Sequence, residues 1–178
     1  MGWPKRTITR LEIGRDSMVP IVEELYRYWS AGARDHPPGP AWGEGFKLVE
    51  VASDVLPNMV VVDVGLGIDD FTYRFWGSER GVYMRQGDPT GKRLQDGLSP
   101  AVMEMVVSQY RDVVTTGVPL LMLHNYQLKS GLIAECQTIR LPLSPDGERI
   151  DKVVSVTQFL RHKQEYQEAE PNFGDSDD

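Results

Sequence analysis

Apolar residues recur along this chain with two different periods. Between residues 18 and 29, Met18, Ile21, Val22, Leu25 and Trp29 fall on one side of a 3.6-residue turn, with Tyr28 beside them. Pro20 lies in the first turn, where its missing N–H costs nothing, so the stretch predicts an amphipathic helix. The AGARDHPPGPAWGEG that follows is too rich in Pro and Gly to continue it and predicts a connector. Period two takes over in MVVVDVG (59–65) and FTYRFWG (71–77), two strands joined by a turn containing Gly67, Asp69 and Asp70. In the second of these, alternation places Phe71, Tyr73 and Phe75 on one face, with Arg74 and Trp76 on the other. Ser99 and Pro100 suit the N-cap and first turn of a helix that carries Val102, Met103, Val106, Val107, Tyr110, Val113 and Val114 on one side. That helix should stop at Gly117, with Pro119 beyond. The rest reads as strand: 119–128, 132–144 and 150–161, joined by Lys129-Ser130-Gly131 and Pro145-Asp146-Gly147.

The order is therefore helix, two strands, a Gly-rich middle, a long helix and three strands. A doubly wound parallel sheet would alternate strands with helices, so the expected class is α+β. It should hold a five-stranded antiparallel sheet with helices inserted between strands two and three, and an amphipathic helix ahead of it. The chain divides into an N-terminal extension (1–45), a core domain (46–163) and an acidic flexible tail (164–178).

Composition removes several function classes. With 178 residues the chain can bury a core without disulfide or metal staples. Cys136 is the only cysteine, which excludes an intrachain disulfide and suits a reducing compartment. The first 17 residues have scattered charges and no apolar h-region, and no window offers the roughly 18 apolar residues of a membrane span. A cytoplasmic protein without membrane attachment is expected. The net charge of −7 belongs to the tail, because six acids and no Lys or Arg lie from Glu165 onward. Neither part has the clustered basic patch of a nucleic-acid binder.

Two glycine-rich segments imitate nucleotide-binding loops. In RQGDPTGKRL (85–94) a phosphate loop would need Gly at the position of Gln86 and a hydroxyl at that of Arg93. In Gly65-Leu-Gly67-Ile-Asp-Asp70 the third glycine of a dinucleotide fingerprint is Asp, and a strand follows instead of a helix. The second segment is read as a hairpin turn.

The order of elements is that of a PAS domain, and the residues carry the same resemblance. YRYW, LP at 56–57, VVDV, DFTYRFWG, DPTGKRL, TTGVPL, IRLPLSPDGERID and VVSV, in that order from about Leu25 to Leu160, resemble a family of short stand-alone bacterial PAS proteins. By this resemblance DPTGKRL is the turn into a short helix over the sheet, with Gly91 giving backbone freedom and close packing and Asp88 a cap. Ser78 departs from the usual Thr of the family. The resemblance implies a sensory and interaction module and not an enzyme, with a small pocket between sheet and helices. Its output would be association, as a homodimer or with another signalling protein. The stripe of Met18, Ile21, Val22, Leu25 and Trp29 is the expected dimer contact.

Candidate ligand contacts are Tyr73, Phe75, Tyr110, Met122, His124 and Tyr126, polar-tipped aromatics and soft apolar residues that could face the helices. The cofactor stays unknown. A flavin photosensor of this fold needs a Cys in a helical motif, whereas Cys136 lies in a strand pattern. Haem needs an axial ligand, for which only His124 is placed, and it is read as a packed histidine. No Cys, His or carboxylate cluster has zinc spacing, so no metal is expected. Two alternatives remain: a ligand-free structural dimerisation module, and a small α+β cone enzyme pairing His124 or Tyr126 with Asp63 or Asp151.

Overall fold

A computed structural model describes residues 6–14, 16–67, 69–80, 87–96, 100–128 and 130–169. Among them, one antiparallel sheet is built from β1 (Arg6–Leu11), β2 (Met59–Val64), β3 (Phe71–Trp76), β4 (Leu120–Gln127), β5 (Ile133–Leu143) and β6 (Lys152–Arg161). The strands lie in the order β1-β4-β5-β6-β2-β3. The helices are α1 (Pro20–Ala33), α2 (Pro100–Thr116) and α3 (Lys163–Ala169). The class is α+β and PAS-like, with the helical segment between β3 and β4 as the order of elements requires. No helix among the described residues is long and apolar enough to cross a membrane.

The sheet has six strands where five are expected. The extra one is β1, RTITRL, which pairs with β4 from Arg6 opposite Tyr126 to Leu11 opposite Leu121. It is an edge strand with one side in solvent, so it carries Arg and Thr where a central strand would carry Val. At the other end, α3 occupies part of the segment read as a mobile tail. Tyr166 anchors it, buried against Tyr126 and Phe159 at ring distances of 4.7 and 5.1 Å. The rest of that tail, 170–178, lies outside the described residues, as do Ser99 and Lys129.

Each face of the sheet supports one long helix. On one face Val22, Leu25 and Trp29 of α1 pack with Leu121, Ile139, Leu141, Val154 and Val156. On the other, Val107, Tyr110 and Val113 of α2 pack with Val60, Val62, Tyr73, Met122 and Val153. Val19 at the start of α1 offers no capping side chain. The sheet supplies the caps instead: Gln137 Oε1 accepts from the Val19 N–H at 2.8 Å and Gln158 Oε1 from the Ile21 N–H at 2.9 Å. Further along, the Trp29 indole N–H donates to the Pro142 carbonyl at 2.7 Å.

This arrangement bears on the expected dimer contact. Val22 and Leu25 have no exposed surface and Trp29 only 6%. The centre of the stripe is covered by the chain's own sheet, because the two glutamines and the Pro142 carbonyl fix α1 there. Met18 and Ile21 stay half-buried at its border.

The segment 88–94 is a turn clamped to the edge of β3. Asp88 Oδ1 accepts from the Thr90 N–H and hydroxyl at 2.9 and 2.6 Å, which closes the turn itself, while the short helix starts only at Leu94, beyond its reach as a cap. Gly91 donates to the Tyr73 carbonyl at 2.7 Å, and Tyr73 to the Lys92 carbonyl at 3.0 Å. Gly91 has φ +84°, so its backbone freedom is used. Close packing is not, since a Cβ there would meet nothing within 4 Å.

Candidate functional site

A stripe of polar side chains runs through the otherwise apolar centre of the sheet. On β5 it comprises Cys136, Thr138 and Arg140, opposite Phe159, Thr157 and Ser155 of β6, with His124 of β4 opposite Cys136. Period two puts these residues on one face, the face beneath α2. There Met105, Val106, Gln109 and Tyr110 of α2, Tyr73 and Trp76 of β3, Arg6 of β1 and Tyr166 of α3 join them around a cavity of about 100 Å³. That is several times the roughly 10–15 Å³ a cavity needs to hold one water, so there is room for a few waters or one small organic molecule.

Arg140 is the dominant group. It is 8% exposed, and its partners are all neutral. Nε and Nη2 donate to Gln109 Oε1 at 3.2 and 2.8 Å, Nη1 donates to Ser155 Oγ at 3.0 Å, and the guanidinium lies 4.1 Å from the centre of the Tyr110 ring. Among the described residues it makes no ion pair with a carboxylate. Burying a charge with only neutral partners is costly, so this is an unusual place for one.

Next along the stripe stands His124, 5% exposed and stacked on Tyr126 with ring centres 6.1 Å apart. Neither ring nitrogen has a hydrogen-bond partner among the described residues, and nor does the Trp76 indole nitrogen. Burial, reinforced by Arg140, Arg6 and Arg80, pushes the His124 pKa down to about 3, so the ring is neutral. The Tyr73 hydroxyl is held protonated mainly by burial. The same cause pushes the Cys136 thiol up to about 11. Around this cavity are three arginines, neutral hydrogen-bonding groups and aromatic faces. No Asp or Glu lines it among the described residues.

Of the residues expected to meet a ligand, Tyr73, Tyr110, His124 and Tyr126 line this cavity. Met122 is buried on the same face but does not reach it. Phe75 is placed on the opposite face, against the α1 cluster. A bulge is responsible: Val61 pairs with Phe75 but Val62 with Tyr73, so Arg74 is an extra residue and the alternation reverses there. Trp76 takes the cavity side in place of Phe75. Asp63 and Asp151 do not approach His124 or Tyr126 either. Asp63 pairs with Arg74 at 2.8 Å and Asp151 with Lys152 at 2.7 Å, both away from the cavity lining. The acid–base pair of the enzyme alternative is therefore not assembled.

Arg140, Gln109, Ser155 and Thr157 were not among the residues singled out. The signal was present in CQTIRLPL and VVSVTQF, where polar side chains repeat every second residue within strands apolar enough to be buried on both faces. A charge inside such a run marks either a paired ion or a site.

No protein-family model matches the chain, and no curated protein matches it. Among solved structures it is similar to the light-state LOV domain of the blue-light photoreceptor Aureochrome1, with TM-score 0.43 and 15% identity over 68% of this chain and 94% of that one. It is also similar to a light-oxygen-voltage domain studied with a flavin analogue, at TM-score 0.47 and 13% identity over 67% and 88% of the two chains. A third is the PAS domain of an HTR-like protein from Haloarcula marismortui, at TM-score 0.38 and 11% identity over 60% and 86%. Likeness of this degree takes the fold no further than the chain's own topology does, and it transfers no chemistry.

Proposed function

We propose that this chain is a sensory module of the short bacterial PAS kind its sequence resembles, one that binds a small molecule between α2 and the sheet and answers by association instead of catalysis. The observation that carries this reading is the set of buried polar groups at the cavity without adequate partners: both nitrogens of His124, the indole N–H of Trp76 and the charge of Arg140. A core selected only for stability would favour apolar side chains here, because each buried polar group without a protein partner costs free energy that an apolar residue avoids. The ligand-free structural alternative has no such feature in its favour. For the enzyme alternative, the catalytic carboxylate would have to come from outside the described lining.

The sheet gives occupancy a route outward. Along β5, Thr138 and Arg140 face the cavity, while Gln137 and Ile139 hold α1 on the far side. A ligand that shifts Arg140 pulls on the strand that caps α1, and the outer surface of α1 is where a second copy or another cytoplasmic signalling protein would read the change. Native mass spectrometry of the protein purified from its own host tests the reading. A stoichiometric bound mass supports it. A chain that emerges empty, and whose melting temperature no small-molecule extract of that host raises, contradicts it.

A further inference from the structure

We propose that the ligand of this cavity is a small organic acid, with its carboxylate held by Arg140 and its flat apolar body against Tyr73, Trp76 and Tyr110. The inference rests on the reading of the cavity as a ligand site and adds the chemical class. Charge is the first argument. Among the described residues, Arg6 and Arg140 line the cavity without a carboxylate partner and no acid lines it, so the potential beside Arg140 is positive. A cation-binding or strictly apolar site would not be built this way.

Donor count is the second. A guanidinium carries five N–H groups, and the bonds to Gln109 and Ser155 use three of those on Arg140. Nη1 and Nη2 each keep one. A carboxylate brings one negative charge and two oxygens, and matches that remainder in charge and in number. A phosphate monoester brings about two charges and three acceptor oxygens, more than the two spare N–H groups of Arg140 serve.

The third argument is what Arg140 does without a ligand. Replacing a buried ion by an apolar side chain of similar volume is often neutral or stabilising. As a structural element Arg140 is therefore inferior to Met, whereas as an anchor for an anion it is well placed, since Gln109, Ser155 and Tyr110 already fix its plane. The remaining walls select the body of the ligand. Tyr73 and Trp76 meet edge to face at 5.2 Å, which presents flat apolar surface beside the cation.

The experiment is calorimetric titration and thermal denaturation of the full chain with benzoate, phenylacetate and hexanoate. Benzamide and benzyl alcohol are the uncharged counterparts, and inorganic phosphate is the competing anion class. At least one acid is expected to bind one per chain and raise the melting temperature. Arg140→Met should fold, melt at or above the temperature of the unliganded wild type, and bind that acid about 10–100-fold more weakly. Arg140→Lys keeps the charge but loses the fork, and should weaken the acid measurably while leaving benzamide unchanged. If Arg140→Met does not fold, Arg140→Lys decides alone. Equal binding of acid and neutral counterpart overturns the inference while leaving the cavity a ligand site. Tighter binding of phosphate than of every acid overturns it in favour of another anion, and so does wild-type affinity in either variant. Silence from all three acids also overturns it, and a neutral molecule retained from the host would then keep the cavity reading alive.

Discussion

Gln137 of β5 accepts a hydrogen bond from the Val19 N–H at 2.8 Å and returns one from its own amide to the Ser17 carbonyl at the same distance. With Gln158 on the Ile21 N–H, the start of α1 is capped by the sheet and not by a local Ser, Thr or Asp. Loss of an N-cap costs about 0.5–2 kcal/mol. Combining Gln137→Leu with Gln158→Leu should therefore lower stability and, in hydrogen exchange, speed the amides of residues 20–33 ahead of those in β4 to β6. Unchanged protection across α1 would contradict the capping arrangement.

The side chains of α1 carry a harsher test. Leu25 is fully buried, so Leu25→Ala should cost about 2–5 kcal/mol in denaturant unfolding. Charges at Val22 and Leu25 together should unfold the chain, since both sites lie inside the core. Light scattering with circular dichroism reads the outcome. A folded, soluble monomer from the double variant would mean instead that these residues meet a second copy.

Stability should depend on pH through His124. In the folded chain its pKa is pushed down to about 3, first by burial and then by Arg140, Arg6 and Arg80, while the Tyr126 ring beside it is neutral. The unfolded chain has an ordinary His pKa of about 6.5, so it takes up the proton first as pH falls. The contribution is complete above about 6.5 and is lost progressively toward 3. Compared with His124→Leu, the wild type should lose about 2 kcal/mol more between pH 7.5 and pH 5. Parallel pH profiles for the two proteins would place the folded His124 pKa near its ordinary value.

Cys136 should be chemically silent. It is 2% exposed, its pKa is about 11 through burial, and its Sγ lies 3.9 Å from the Tyr126 hydroxyl. A disulfide-forming thiol reagent at pH 8 should leave the native chain unmodified and titrate one thiol in denaturant. Cys136→Ser should cost on the order of 1 kcal/mol. Rapid modification of the native chain would show that the cavity opens to solvent on that timescale.

The elements with a strong period were legible in the sequence, and so were their ends. Pro20, Gly117, Gly131 and Gly147 mark a helix start, a helix stop and two hairpin turns, and the three glycines have positive φ. What escaped notice was set by tertiary context. β1 has too little apolar content to announce itself, and only its pairing with β4 makes it a strand. The bulge at Arg74 has no local signature, yet it decides that Trp76 and not Phe75 faces the cavity. Tyr73, Tyr110, His124 and Tyr126 could be chosen as aromatic or polar-tipped residues on regular elements. Arg140 could not be chosen by residue type, because an Arg on a strand is ordinarily at the surface. Its significance lies in the burial of β5 on both faces, which only the docking of α1 and α2 creates.

The crystal structure of the full chain grown with saturating benzoate or phenylacetate, whichever binds more tightly in titration, puts the anchoring role of Arg140 to proof. The expected density is a ring beside Tyr73 and Trp76, with both carboxylate oxygens about 2.7–2.9 Å from the terminal nitrogens of Arg140. A ring turned the other way, with its carboxylate toward solvent and away from Arg140, would contradict it, and so would a cavity that holds only water.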